Sequence, residues 1–354
     1  MKILHITESL GAGVEHFLEL VTRGQAQAGH QVVLAHSIRA ETPVDQLDAQ
    51  FSCLARRVVL PMATEVSLQK DALSVWHLIR IIRQERPDVV HLHSSKAGVL
   101  GRVAALLSLS NARVFYSPHG FAFLRQDVSG VKQKLFLWFE RLAGWLPGTL
   151  VACSATEAAL ATDKVGHKHV VLVENAINLG EVLPSAGGGG GMVKVINASR
   201  ACYQKAPWRF QRVAQHCAGL PASFTWVGDG DWRPHKATNL HMTGWLSRAE
   251  VVKHMANADV FLMPSLWEGM PLALIEAQAA GVPAVVSNVV GCRDVVQHGV
   301  TGFICDTDEE LCARTQQLIE DAELRRSMGD NAAMMSRSRF AVERLNAELL
   351  KLYA

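Results

Sequence analysis

The sequence predicts an α/β protein built from two doubly wound parallel sheets. Short apolar runs alternate with amphipathic stretches along most of the 354 residues, as in strand–helix repeats. The chain is 49% hydrophobic and 19% charged, so it can bury a sizeable core. A run of glycines divides it into two similar series, which indicates two domains.

The first series starts at the second residue. Its strand candidates are residues 2–7, 31–37, 88–94, 112–118 and 149–154. Residues 14–29, 71–86 and 98–108 lie between them and have the apolar spacing of helices. Strands that alternate with helices form parallel sheets covered on both faces.

Five consecutive glycines, within residues 184–192, predict a flexible connection near residue 188. The second series has strand candidates at residues 193–199, 223–230, 240–245, 259–265, 283–288 and 302–305, followed by a helical C-terminal end. We therefore expect domains at 1–185 and 186–337, with a helix at about 338–354 packing back on the first. Two such domains would face each other across a cleft, with ligands at the carboxyl ends of strands.

Charge and cysteine content exclude several classes of protein. A formal net charge of +2 argues against nucleic-acid binding. We expect no signal peptide, and no run of ~18 apolar residues predicts a membrane span. The seven cysteines are scattered and contain no CxxC pair, so we expect free thiols in a reducing cytoplasm.

Two acids flank an apolar run in the second series, EGMPLALIEAQAAGVP. Glu268 precedes a helix predicted from about Pro271 to Ala280, and Glu276 lies inside that helix. A helix N-terminus offers amides and a positive dipole to phosphate, and carboxylates accept hydrogen bonds from hydroxyls. The spacing therefore suits a sugar–diphosphate–nucleoside ligand; the alternative is a helix with an N-terminal acid and one surface acid. The candidate ligand contacts at this terminus are Gly269, Met270, Pro271 and Leu272.

Gly11 and Gly13 directly follow the first strand, where glycine allows a close approach to a ligand. A dinucleotide fingerprint is disfavoured, because His16 stands at the third glycine position and no acid ends the second strand. Glu15 in this loop is also accounted for as a first-turn acid that favours the helix dipole.

Other polar residues also lie at predicted strand ends. His91 and His93 share one strand, and we expect one to be buried and one to face the cleft, without a metal. His119 follows the next strand. Ser94, Ser95 and Lys96 directly follow the strand that contains His91 and His93. Residues 130–148 combine basic and aromatic side chains, which is typical either of an interfacial helix or of a core helix.

Several segments resemble the retaining glycosyltransferases of family GT4, which have the two-domain GT-B fold. PSLWEGMPLALIEAQAAGVPAVVSNVVGCRDVVQHGVTGF resembles the family's E-x7-E region, and ESLGAGVEHFLELV its glycine-rich first loop. ASRACYQKAPW is similar to its arginine and lysine segment, and VGDGD to its glycine–aspartate turn. HSSKAGVLGRVAA and YSPHGFAF resemble the branch that makes bacterial surface polysaccharides. The resemblance covers the whole chain.

The resemblance implies a role for each matching residue. Glu268 would contact the hydroxyls of the transferred sugar, and Glu276 the ribose of the nucleotide. Arg200 and Lys205 would bind the donor diphosphate and neutralise the charge that grows on the leaving phosphate. His119 would lie near the transferred sugar.

The resemblance places the glycine-rich loop, with Gly11 and Gly13, near the donor phosphate and the acceptor. The first domain would bind the acceptor, with Ser94, Ser95 and Lys96 as candidate contacts, and the second would bind the nucleotide sugar. Asp229 and Asp231 form a DxD, which holds manganese in the other large transferase fold. The GT-B family generally works without a metal, so no metal and no cofactor are expected.

The expected protein is therefore a cytoplasmic glycosyltransferase, associated with the inner face of the membrane. It would transfer a sugar with retention from a nucleotide-diphosphate donor, a UDP-sugar, to a lipid-linked glycan in O-antigen or capsule synthesis. One alternative is a nucleotide-sugar epimerase or hydrolase of the same fold, which would turn over donor without acceptor. The other is a non-catalytic sugar-nucleotide binding protein, which would bind donor and transfer nothing.

Overall fold

A computed structural model describes residues 1–8, 10–39, 42, 44–63, 67–185, 191–234 and 239–354, with only the backbone given at residue 12. Most of the glycine run predicted to connect the domains lies outside these residues. The chain divides into two compact units. The first comprises Met1–Leu124, Val128–Asn175 and Val342–Ala354, and the second comprises Arg125–Asp127 and Ala176–Ala341.

The first unit is a seven-stranded parallel sheet flanked by helices. Its strands are β1 (Lys2–Thr7), β2 (Gln31–His36), β3 (Arg56–Val59), β4 (Val89–His93), β5 (Arg113–Ser117), β6 (Thr149–Ala152) and β7 (Val170–Leu172). Its helices are α1 (Ala12–Gln27), α2 (Leu47–Gln50), α3 (Leu68–Glu85), α4 (Ser95–Ser108), α5 (Gly130–Ala143) and α6 (Ala155–Leu160). The strand order is β3-β2-β1-β4-β5-β6-β7, so the direction of winding reverses between β1 and β4.

The second unit has a six-stranded parallel sheet. Its strands are β8 (Val193–Ala198), β9 (Ala222–Val227), β10 (Leu240–Met242), β11 (Val260–Met263), β12 (Ala284–Ser287) and β13 (Gly302–Cys305). Its helices are α7 (Pro207–His216), α8 (Arg248–Ala256), α9 (Leu272–Ala279), α10 (Cys292–Val295), α11 (Asp308–Glu320) and α12 (Ala322–Arg339). The order β10-β9-β8-β11-β12-β13 places the reversal between β8 and β11.

The last helix, α13 (Val342–Tyr353), belongs to the first unit and packs against α1. Tyr353 at its end is fully buried and hydrogen bonds to His91 of β4. The domains predicted from the sequence, 1–185 for acceptor binding and 186–337 for donor binding, stay predictions. Apart from Arg125–Asp127, which belong to the second unit, the chain passes from the first unit to the second after Asn175 and returns after Ala341.

Each sheet has its own apolar core. In the first unit the core includes Leu4, Leu92 and Tyr116, and in the second it includes Phe224 and Trp226. The two doubly wound parallel sheets predicted from the sequence are confirmed. Among the described residues, no helix is both long and apolar enough to cross a bilayer.

The sequence prediction missed β3 and β7, which both lie at sheet edges. Strand β3 has the sequence RRVV and none of its residues is buried, so it lacks the apolar run by which the central strands were found. Strand β7 has only three residues and none of them is buried. Edge strands contact the core on fewer sides, so their sequences carry a weaker pattern.

Candidate active site

Lys205 and Glu268 form an ion pair at the carboxyl end of the second sheet. Lys205 follows β8 and Glu268 follows β11, and these parallel strands are neighbours where the winding reverses. The Nζ of Lys205 lies 2.6 Å from the Oε1 of Glu268, whose residue is only 5% exposed. The fold therefore brings together two residues that lie 63 positions apart in the chain, at the edge where doubly wound sheets bind ligands.

Two hydrogen bonds fasten the loops that carry this pair. The amide of Leu266 donates to the carbonyl of Gln204 at 2.8 Å, and the Nε2 of Gln204 donates to the carbonyl of Trp267 at 2.9 Å. Directly after Lys205, Ala206 has a φ of 48°, a left-handed conformation that is costly for a residue with a Cβ. Such strained residues cluster at functional sites.

The glycine–aspartate turn holds the segment that contains Arg200. The amide of Ala201 donates to the carbonyl of Asp229 at 2.8 Å. A Cβ at Gly230 would lie 2.3 Å from the carbonyl oxygen of Ala201, so only glycine fits this approach. Arg200 is half-buried in the loop after β8, next to this turn.

Glu276 is the second acid, and Arg248 of α8 contacts both of its oxygens. The Nη1 of Arg248 lies 2.9 Å from Oε2, and its Nη2 lies 2.5 Å from Oε1. Apolar side chains line a small pocket around this pair, namely Val182, Leu183, Val251, Val252, Met255 and Ala280. The predicted ribose contact therefore lies beside an apolar pocket and has a cation as its partner.

Helix α9 begins one residue later than predicted. Pro271 is extended, with a ψ of 118°, and is the N-cap, so the helix starts at Leu272 rather than at Pro271. The carbonyl of Pro271 accepts from the amides of Leu274 and Ile275. The candidate phosphate contacts Gly269, Met270 and Leu272 precede these bonded amides and are buried. A Cβ at Gly291 would lie 2.0 Å from the carbonyl oxygen of Gly269, so the turn before α10 supports this loop from behind.

Asp229 has partners within its own turn. Its Oδ1 accepts from the amide of Gly230 at 2.8 Å and lies 2.8 Å from the Nη1 of Arg233. Within the described part of the chain, the group of potential metal ligands that lie close enough to share an ion is His5, His91 and His93. The aspartates of the DxD are not in that group, and metal independence stays a prediction.

His119 lies in a strained turn after β5. Its φ is 54°, and the amide of the next residue, Gly120, donates to the Oε1 of Glu157 at 2.7 Å. The Oε2 of the same carboxylate accepts from the amide of Cys153 at 2.8 Å. Glu157 is fully buried and fixes the turn of His119. The sequence analysis missed Glu157, although the spacing of Ser154 and Glu157 is that of a helix-capping box.

His91 and His93 are both fully buried, so the expectation that one of them faces a cleft is wrong. Residues two positions apart on a strand point to the same face, and the two rings lie 4.3 Å apart. The Nε2 of His91 lies 2.9 Å from the Oγ of Ser117, and the Nδ1 of His93 lies 3.0 Å from the Nε2 of His119. The ring of His93 therefore lies on the buried side of His119.

The three candidate acceptor contacts after β4 have protein partners. Ser94 has a φ of 83°, caps α4 through the amide of Ala97 and donates to the Oε2 of Glu8 at 3.3 Å. The Oγ of Ser95 accepts from the amide of Ala122 at 3.2 Å. Lys96 lies 2.7 Å from the Oδ1 of Asp71 and donates to the carbonyl of Ala63 at 2.5 Å.

These contacts give Ser95 and Lys96 a structural role, and acceptor binding at this strand end stays a prediction. Glu8, which the sequence analysis did not select, is buried beside Ser94 and pairs with Arg39. It follows β1, the neighbour of β4, so it too lies at the strand end where the winding reverses.

Packing within the first unit does not explain the glycine-rich loop. Gly11 is extended, with a φ of −179°, a conformation open to any residue. A Cβ at Gly13 would meet no atom within 4 Å. Neither observation tests the predicted contact with donor or acceptor, but both leave room for one.

Helix α5 presents an apolar stripe to the outside of the first unit. The exposed residues of the stripe, spaced three and four apart, are Val131, Leu135, Trp138 and Leu142 in the helix and Trp145 in the turn that follows it. Its other side packs on the core through Phe136 and Leu137 and buries Glu140, which accepts from the hydroxyl of Tyr116 at 2.8 Å. The helix therefore has the apolar contacts of a core helix on one side and the exposed stripe of an interfacial helix on the other.

Comparisons with known proteins agree with this fold. Residues 11–181 match the family described as Glycosyltransferase Family 4, and residues 235–335 match Glycosyl transferases group 1. The chain is 30% identical over 274 residues, 70% of each chain, to the UDP-Gal:alpha-D-GlcNAc-diphosphoundecaprenol alpha-1,3-galactosyltransferase of Escherichia coli. It is 22% identical over 335 residues to the capsular polysaccharide biosynthesis glycosyltransferase CapM of Staphylococcus aureus, which covers 83% of this chain and 84% of that protein.

A solved structure with a similar fold is Anabaena Alr3699/HepE in complex with UDP and glucose. It has a TM-score of 0.81 and 19% identity, with 99% of each chain covered. Two Rossmann-like parallel-sheet units with these matches define a glycosyltransferase of the GT-B fold. The chain belongs to glycosyltransferase family 4. The predicted family, fold and enzyme class are confirmed.

Proposed function

We propose that this glycosyltransferase moves a sugar from a UDP-sugar to a lipid-linked glycan, with retention of the anomeric configuration, during O-antigen or capsule synthesis. The observation that carries the proposal is the ion pair of Lys205 and Glu268 at the switch point of the second sheet. A cation for a diphosphate and an acid for sugar hydroxyls lie there side by side. Glu276 follows within the next helix and provides a second acid for a ribose.

The donor would extend across the second unit. Arg200 and Lys205 bind the diphosphate, the start of α9 offers amides to the same phosphates, and Glu276 accepts from the ribose hydroxyls. The Anabaena protein, whose structure contains UDP and glucose, supports a UDP-linked donor.

Retention follows if the acceptor attacks on the face that the diphosphate leaves. The bond from the anomeric carbon to the diphosphate breaks, and a bond to the acceptor oxygen forms on the same side. The leaving phosphate oxygen takes the proton of the acceptor hydroxyl. Arg200 and Lys205 stabilise the charge that develops on that phosphate, so no metal ion is required. In the second unit, Glu268 binds hydroxyls of the transferred sugar, and in the first unit His119 binds a hydroxyl of the substrate.

The acceptor would be carried on a lipid, and α5 would bring the enzyme to the membrane surface. The galactosyltransferase of Escherichia coli is named for an acceptor linked to diphosphoundecaprenol. The exposed stripe of α5 has Lys132, Lys134 and Arg141 beside its tryptophans, and the Nζ of Lys168 lies 5.5 Å above the ring of Trp145. Apolar side chains bordered by cations suit an anionic lipid surface such as the inner face of the membrane.

A screen of nucleotide sugars tests the donor. Binding to the folded protein raises the temperature of unfolding by mass action, so UDP-sugars should stabilise the protein more than GDP-, ADP- or dTDP-sugars at equal concentration. Stabilisation by another nucleotide alone would contradict the UDP assignment. No stabilisation by any of them, with no transfer to lipid extract, would contradict the proposed function.

A further inference from the structure

Four side chains form a continuous hydrogen-bonded chain through the first unit. The Nε2 of His5 lies 2.8 Å from the Oε1 of Gln25, and the Nδ1 of His5 lies 2.9 Å from the Nε2 of His93. The Nδ1 of His93 lies 3.0 Å from the Nε2 of His119. Gln25, His5 and His93 are fully buried, whereas His119 is only half-buried and ends the chain at the surface of the unit.

Burial keeps the three imidazoles neutral. It lowers the pKa of His5 to about 4 and that of His119 to about 4, and it lowers the pKa of His93 well below its usual range. A neutral imidazole has one N–H and one lone pair, so each ring can donate once and accept once. The direction of one hydrogen bond therefore determines the direction of all the others.

The orientation of the Gln25 amide, whose Oε1 faces the Nε2 of His5, sets that direction. Its Oε1 can only accept, so the proton of His5 is on Nε2 and the Nδ1 of His5 accepts from the Nε2–H of His93. The Nδ1 of His93 then accepts from the Nε2–H of His119. His119 is left with an unprotonated Nδ1, for which the structure gives no hydrogen-bond partner among the described residues.

Two histidines of this chain, His5 and His93, also form a potential metal site with His91. Ligand nitrogens of the three residues lie within 4.8 Å of one another. The contacts favour hydrogen bonding instead. The facing nitrogens of His5 and His93 are 2.9 Å apart, and the nitrogens of His91 are engaged by the hydroxyls of Tyr353 and Ser117. A metal would have to break all of these pairs in a fully buried place.

We propose that Gln25, His5 and His93 are positioning residues that hold His119 in its Nε2–H tautomer, so that its Nδ1 accepts a hydrogen bond from a hydroxyl of the substrate. The place of His119 at the substrate rests on the proposed function. The tautomer rests on the contacts within the first unit alone. His119 would thus recognise a hydroxyl donor and would not donate to a phosphate through Nδ1.

Nitrogen NMR of protein labelled at histidine tests the tautomer directly. We expect a pyridine-type shift at the Nδ1 of His119 and a pyrrole-type shift at its Nε2, with the peaks assigned by their loss in His119→Gln. The opposite pattern would overturn the proposal. So would stoichiometric zinc in the purified protein, since its ligands would be the nitrogens of this chain.

Two variants of one residue test the link to turnover. His93→Asn keeps an acceptor near the position of Nδ1 and so keeps the bond to His119, whereas His93→Gln places its amide near Nε2 and loses that bond. We expect kcat to be about tenfold lower in His93→Gln than in His93→Asn, with equal melting temperatures and equal UDP affinity. Equal kcat values in the two variants would overturn the proposal.

The two proposals fail in different ways. If the wild type transfers no sugar but His119 is the Nε2–H tautomer, the proposed function fails and the positioning chain stands. If transfer occurs and His119 carries its proton on Nδ1, the chain fails and the proposed function stands.

Discussion

Arg248 reaches Glu276 from the neighbouring helix and contacts both of its carboxylate oxygens, at 2.9 Å and 2.5 Å. The carboxylate is buried, whereas the side chain of Arg248 is 40% exposed. Of the two groups, the arginine is therefore the one that we expect a bound ribose to displace. Ribose hydroxyls would then donate to the same oxygens.

This geometry separates a binding role of Glu276 from a purely structural one. If Glu276 binds the ribose, Glu276→Ala should weaken UDP binding about tenfold to a hundredfold, because hydrogen bonds to a charged acceptor are lost. Arg248→Ala removes the same ion pair and should change the affinity much less. Calorimetric titration with UDP measures both. Equal losses in the two variants would mean that the acid acts only as the partner of Arg248.

The pair of Lys205 and Glu268 should contribute to stability and to catalysis by different routes. Lys205→Met leaves a buried carboxylate without its cation and should lower the free energy of unfolding of the second unit by about 3 kcal/mol. The double variant Lys205→Met with Glu268→Gln removes both charges and should recover most of that loss without recovering transfer. Urea denaturation and a transfer assay report the two effects. A double variant no more stable than Lys205→Met would contradict this interpretation.

Acid should destabilise the first unit through its buried histidines. Their pKa values are lowered on folding, so the unfolded chain takes up protons near pH 6.5 that the folded unit does not bind. The stability that these neutral histidines contribute to the folded unit is complete above about pH 6.5 and is lost as the pH falls. Each such histidine adds up to about 1.4 kcal/mol per pH unit.

The window between pH 7 and pH 5 isolates this effect, since most carboxylates titrate below it. Denaturant unfolding across this window should show a free energy of unfolding that rises with pH. The slope of that rise should be smaller in His5→Gln. The exposed His241 of the second unit offers the matched control, and His241→Gln should leave the slope of the first unit unchanged. A first unit equally stable at both ends of the window would contradict the account.

The exposed stripe of α5 should bind anionic vesicles. Trp138 and Trp145 are 54% and 81% exposed, and replacing both by serine should lower the partition onto phosphatidylglycerol vesicles about tenfold or more. Trp76 of α3, in the same unit, is 49% exposed and serves as the control. Trp76→Ser should not change the partition onto these vesicles. Flotation of the three proteins makes the comparison. Equal flotation, or equal binding to phosphatidylcholine alone, would contradict a specific lipid-binding surface.

The sequence predicted the central strands well, because β4 and β11 are buried along their whole length and contain no aspartate, glutamate, lysine or arginine. It could not predict which strands lie side by side. The histidine chain depends on that order: β1 lies next to β4, which brings His5 to His93 across 88 positions.

The same limit applies to the candidate site. The spacing of Glu268 and Glu276 is visible in the sequence, but Arg248 lies 28 residues before Glu276 and reaches it only through the packing of α8 on α9. Glu157 was missed for a related reason. Its capping position is local, whereas its bond to Gly120 spans 37 positions and depends on the packing of α6 beside the loop after β5.

The most direct test follows a labelled sugar from a UDP-sugar into the lipid phase, with EDTA present, for the wild type and for Glu268→Gln. We predict label in the lipid only when a lipid-linked acceptor is added, and about a hundredfold less with Glu268→Gln. Hydrolysis or epimerisation of the donor without acceptor, a requirement for manganese, or full transfer by Glu268→Gln would contradict the account.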